Sequence, residues 1–110
     1  MSDKDIILNY RNTVFELKSI RRQLTWNQQH GLPAMNFPEQ LKELKAELMR
    51  FEELLEQIPD RRTRVAMRCR YALGWNTRDI SVFMNLDRNT ISAITTAALR
   101  RINQGGSRQA

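Results

Sequence analysis

An all-α fold is predicted, with a helical hairpin in the first half of the chain and a helix-turn-helix in the second. Three observations predict it. Apolar residues recur at three- and four-residue steps along most of the chain. Only three prolines and four glycines occur in 110 residues, and two of those glycines lie in "QGGSRQA" at the end. Two cap-like sequences, "WNTRDI" and "LDRNTI", stand close together in the second half, each opening a short amphipathic segment.

Composition sets the class. The chain is 41% hydrophobic and 27% charged, as soluble globular domains are. No apolar run approaches the roughly 18 residues of a membrane span, and no signal-peptide pattern opens the chain, so no membrane association is expected. Cys69 is the single cysteine, which excludes an intramolecular disulfide and suits a reducing, cytoplasmic compartment. The formal charge of +6 is unevenly spread. Residues 1–58 hold eight Lys or Arg against nine Asp or Glu, whereas residues 59–110 hold ten against three. All ten are arginine, whose planar fork of donors pairs bidentately with phosphate or guanine. Nucleic acid is the partner this bias suits.

In residues 1–58, Asp3 is the expected N-cap of a first helix carrying Ile7, Tyr10, Val14, Leu17 and Leu24 on one stripe. "TWNQQHGLPAMNFP" reads as a loop because Gly31, Pro33 and Pro38 break the pattern. A second helix places Leu41, Leu44, Leu48, Phe51, Leu55 and Ile58 at heptad spacing, with Glu43, Glu47, Glu53 and Glu56 on its other faces. That stripe suits either burial within an antiparallel hairpin or pairing across a dimer. The hairpin is the expected basic unit, with homodimerisation as the outlet for apolar surface that two helices leave uncovered.

Pro59 marks the boundary to a second unit expected over residues 59–103, followed by a flexible tail at 104–110. "DRRTRVAMRCRYAL" forms its first helix, with Val65, Cys69, Ala72 and Leu73 on the core face and Gly74 at its left-handed end. Cys69 is thereby a small core residue. Asn76 caps the next helix, Asp79 completes a capping box, and Trp75 staples onto Ile80. Asn85 ends that helix after about eight residues, Asp87 caps the last one, and Leu86 staples onto Ile91. On the last helix Ile91, Ile94, Ala98 and Ile102 cluster, with Leu99 near their edge. Asn89, Ala93, Thr96 and Arg100 lie opposite, flanked by Arg88 and Ser92.

A short helix, a three-residue turn and a second helix make a helix-turn-helix, whose second helix reads the major groove with its N-terminal residues. Arg88, Asn89, Ser92, Ala93 and Thr96 are therefore the expected base-contacting residues. Thr77, Arg78, Arg100 and Arg101 are expected on phosphates, with Arg61, Arg62 and Arg64 extending the basic surface. An enzyme is not expected: His30 is the only histidine, and the chain has no Gly-rich phosphate loop and no metal-ligand spacing. No catalytic, cofactor or metal site follows. Trp26 and Trp75 are expected as packing anchors.

The stretch "RYALGWNTRDISVFMNLDRNTISAITTAALRRI" resembles the helix-turn-helix of sigma-70 region 4. Arg70, Tyr71, Gly74, Ile80, Met84, Leu86, Thr90, Ile91, Ala98, Leu99 and Ile102 fall on that pattern without a gap. Asn76 stands for its capping Ser, Asp79 for Glu, Ser81 for Ala, Asn85 for Gly and Asp87 for the second cap. Small phage regulators of the ArpU and RinA type are similar, joining a helical extension to such a module. The resemblance implies a phage-type transcription regulator that binds double-stranded DNA. It leaves open an adaptor that binds RNA polymerase, and a small terminase-like DNA-packaging subunit. Nothing in residues 1–58 resembles the sigma region that binds the −10 element.

Overall fold

A computed structural model describes the backbone of residues 2–108 and the side chains of residues 2–104. The fold is all-α, with no strand among the described residues. Among the described residues six helices follow in order: α1 (Asp3–Leu8), α2 (Tyr10–Gln29), α3 (Phe37–Glu56), α4 (Arg61–Met67), α5 (Thr77–Met84) and α6 (Arg88–Arg108). A π-turn over Arg68–Ala72 prolongs α4.

The first helix is capped by Ser2 rather than Asp3. The Ser2 hydroxyl accepts the Asp5 N–H at 3.2 Å and the Asp5 carboxylate reaches back to the Ser2 N–H at 3.3 Å, a reciprocal box. The expected single helix breaks at Asn9 into α1 and α2. The expected loop over residues 25–38 shrinks to residues 30–36, because α2 continues through Gln29. Buried Asn27 accounts for the difference. Its side chain accepts from Gln23 Nε2 at 2.9 Å and donates to the Pro33 carbonyl at 3.1 Å, while its own carbonyl accepts the Leu32 N–H at 2.8 Å. With Gly31 at φ +68, that last bond closes α2 as a Schellman turn.

Helices α2 and α3 lie antiparallel. The Tyr10 ring packs on Phe51 with centroids 3.9 Å apart, and one turn on, the Thr13 hydroxyl lies 3.4 Å from Glu47 Oε2. The α3 stripe is consumed within the chain: Leu44, Phe51, Leu55 and Ile58 are buried, and Leu41 and Leu48 half-buried. Leu54, absent from the expected stripe, is buried too, since α1 and α4 pack on α3 beside α2.

Two cores form. One joins Ile7, Phe51, Leu54, Leu55, Ile58, Met67 and Ala98, with Tyr71, Leu99 and Ile102 at its edge. It draws on both sides of the Ile58–Pro59 boundary, so α1 and α3 share apolar contacts with α6. The second joins Ala66, Cys69, Ile80 and Ile91, edged by Val65, Trp75, Met84, Leu86 and Ile94. Burial pushes the Cys69 thiol pKa up, as in an inert core thiol. Leu73, expected in the core, is 54% exposed. The π-turn is the reason: the Leu73 N–H bonds to the Arg68 carbonyl five residues back, and the extra residue rotates later side chains away from the α-helical register. Helix α6 runs past residue 103, so residues 104–108 of the expected tail have helical backbone; residues 109–110 lie outside the described residues.

Candidate nucleic-acid interface

Local chemistry builds the segment from Gly74 to Asn89. Gly74 has φ +74, and the Trp75 N–H bonds to the Cys69 carbonyl at 2.9 Å, closing the π-turn. Asn76 Oδ1 accepts the Asp79 N–H at 2.8 Å and starts α5. Trp75 joins the second core with Ile80 and meets the Phe83 ring edge-on at 5.3 Å. Asn85, at φ +54, ends α5 as a Schellman turn, in which the Leu86 N–H bonds to the Ser81 carbonyl at 3.2 Å. The Ser81 hydroxyl in turn donates to the Leu86 carbonyl, so one serine holds both polar groups of the turn residue. Asp87 then caps α6 by accepting the Asn89 N–H at 3.0 Å.

The two faces of α6 differ in burial and meet at Leu99 and Arg88. Ile91, Thr95 and Ala98 are buried and Ile94, Leu99 and Ile102 half-buried. Thr95 is fully enclosed, its hydroxyl donating to the Ile91 carbonyl at 2.8 Å, which satisfies the polar group inside the helix's own turn. Arg88, Asn89, Ser92, Ala93, Thr96 and Arg100 are all exposed. At 100° per residue Asn89, Ser92, Ala93, Thr96 and Arg100 fall within one arc on the side away from Ile91, Ile94 and Ala98, and Arg88 stands at its edge, about 60° round from Ile91.

The remaining expected contacts scatter. Arg101 lies off that arc and lines a groove of about 1010 Å³ with Asp3, Arg50, Asp60 and Thr63, over a floor that includes Leu54, Ile58 and Ile94. Arg61 and Arg62 stand exposed at the start of α4, beside the Asp60 and Thr63 of that groove. Arg64 is engaged elsewhere: its Nη1 donates to the Ile58 carbonyl at 2.6 Å and to that of Pro59 at 3.2 Å, clamping the linker after α3. Thr77 is half-buried, with Arg70 Nη1 at 3.5 Å from its hydroxyl, while Arg78 is exposed.

Among the described residues the ion pairs involve only two arginines. Arg50 takes Asp3 and Glu53 at 3.1 Å each, and Arg68 takes Glu52 at 2.7 Å. Among the described residues, Arg61, Arg62, Arg78, Arg88, Arg100 and Arg101 hold no carboxylate within ion-pair distance. No family model, curated protein or solved structure matches this chain. Among the described residues, no helix is long and apolar enough to cross a membrane, and no group of three His, Cys, Asp or Glu side chains is placed to hold a metal ion.

Proposed function

We propose that this chain is a sequence-specific double-stranded DNA-binding regulator in which α5 and α6 act as a helix-turn-helix. The observation that carries the proposal is the α6 face: a guanidinium, a carboxamide, two hydroxyls and a methyl, all exposed, on one arc of a helix capped at its N-terminus. These groups match what base edges offer in the major groove: Arg for guanine, Asn for adenine, and Ala or Thr for a thymine methyl. Arg78 and Arg100, free of carboxylates, are suited to the flanking phosphates. The resemblance to sigma-70 region 4 and to small phage regulators supports the same reading. Arg101, Arg61 and Arg62 belong to a separate basic edge in this proposal, and Arg64 to the scaffold.

A homodimer fits the apolar surface that remains, since Phe15 is 72% and Met49 65% exposed. A second reading, an adaptor that docks on RNA polymerase, is favoured by α5, where Val82 and Phe83 stand 77% and 62% exposed.

Selection of bound duplexes from a random pool tests the first reading, followed by a salt series on the preferred site. Six or so neutralised phosphates imply about a thousandfold loss of affinity between roughly 50 and 200 mM salt. Arg88→Ala is expected to cost about 1–3 kcal/mol on the preferred site and much less on random DNA, relaxing the preference at one position. Arg100→Ala is expected to weaken all sequences alike and make the salt slope shallower by about one. Absence of duplex binding at low salt moves the assignment to the adaptor.

A further inference from the structure

We propose that the outward face of the second half of α2 is a binding platform for unpaired nucleotides, separate from α6 and not dependent on the reading of it. No carboxylate occurs between Glu16 and Glu39, while Lys18, Arg21, Arg22 and His30 all fall in that interval. Buried Leu17 and Asn27 and half-buried Leu24 turn one side of α2 toward α3. At 100° per residue Lys18, Arg22, Thr25, Trp26 and Gln29 fall on the other side with Arg21 on its flank, and each is exposed.

Trp26 borders this face. It was expected as a packing anchor, yet it is 47% exposed and belongs to neither core. Its indole stacks on the His30 imidazole at 4.0 Å and 20°, and His30 Nδ1–H donates to the Trp26 carbonyl at 2.8 Å, which fixes the pair. Beside the indole opens a shallow pocket of about 400 Å³, walled by Arg21, Arg22, Thr25, Trp26 and Gln29; His30 is not among its walls. Neither arginine has a carboxylate partner among the described residues.

An aromatic wall with two guanidinium groups to one side of it, and a hydroxyl and a carboxamide in the same pocket, fits a base on the indole and its phosphates on the arginines. A duplex keeps its bases stacked inside and offers this face phosphate alone, so the indole favours a single strand. Stacking on a π-face tolerates any base, and little sequence preference follows. A lipid surface fits less well, because in this half of α2 Trp26 stands as a lone exposed large apolar side chain, with Phe15 about three turns away.

Fluorescence anisotropy of a short labelled oligothymidylate with the full chain tests the platform. Wild-type protein is expected to bind, and Trp26→Ala to weaken binding by roughly 5- to 150-fold, the range of one lost base stack. Trp26→Phe should restore most of it. The Arg21→Ser/Arg22→Ser double variant should weaken binding and flatten its salt dependence. All these positions are exposed, and melting curves close to wild type check the fold. Arg88→Ala should leave oligothymidylate binding unchanged, which separates this site from the duplex proposal. The platform is overturned if the wild type ignores the oligonucleotide, or if Trp26→Ala binds it as tightly. It is equally overturned if phosphatidylserine vesicles, and not the oligonucleotide, are the partner lost in Trp26→Ala.

Discussion

Gly74 combines two demands on one residue. Its φ of +74 lies where a side chain is strained, and an added Cβ would sit 2.4 Å from Arg11 Nη1 of α2. Gly74→Ala is therefore expected to cost about 1–2 kcal/mol from backbone conformation. Arg11 is the flexible end of an exposed side chain, so its displacement should add little. Thermal melting of Gly74→Ala with and without Arg11→Ala checks this: similar losses place the cost in the backbone, while rescue by Arg11→Ala places it in the clash. Residues of this kind were legible in sequence. Gly74, Asn76, Asn85 and Asp87 act through short spacings and their own backbone, and each stands where its chemistry predicts. Ser81, Thr95 and Asn27 were not legible, because each satisfies a partner that only the folded turn brings near. A polar residue on an apolar stripe reads as an interruption until that partner is known.

At the scale of elements, burial rather than heptad position ranks the α3 side chains. Phe51→Ala, at a site with no solvent exposure, should cost about 3–5 kcal/mol, and Leu54→Ala, at 2% exposure, about 2–5. Leu48→Ala, half-buried although it belongs to the heptad stripe, should cost about 1 kcal/mol. Denaturant unfolding of the three variants measures the order; equal losses would mean that the stripe alone sets the packing. Heptad spacing revealed the helix and most of its inner face. It missed Leu54 because a stripe assumes one partner, whereas α1, α2 and α4 all pack on α3. The π-turn was likewise hidden, because "RCRYA" has ordinary helical propensities and nothing in it marks an extra residue in the turn. The outward face of α6 was legible for the opposite reason, since one long regular helix keeps its period from Ile91 to Ile102. The dispersal of Arg61, Arg62, Arg64 and Arg101 was not, because charge counts carry no direction.

At the scale of the molecule, its halves are joined by charge as well as by a common core. Arg68 on the π-turn hydrogen-bonds both oxygens of Glu52 on α3, which lowers the Glu52 pKa. The Thr63 hydroxyl and N–H lower the pKa of Asp60, and the Ser2 hydroxyl does so for Asp5. Groups with depressed folded-state pKa values contribute stability above the ordinary carboxylate range, and that contribution vanishes as pH falls through the folded values. Melting temperature is therefore expected to hold from pH 7 to about 5 and to fall below about 4, with a smaller fall in Glu52→Gln. An equal acid response in that variant would remove Glu52 from the account. The core itself carries a consequence for how the chain is made. Ile7 shares that core with Phe51 and Leu54 of α3 and with Ala98 of α6, so α1 is fully covered only once α6 has packed back onto it. A helical protein built from local contacts can fold piecemeal during synthesis; this one completes its larger core only when α6 has emerged. Until then part of the apolar side of α1 stands open to any chaperone that meets the nascent chain.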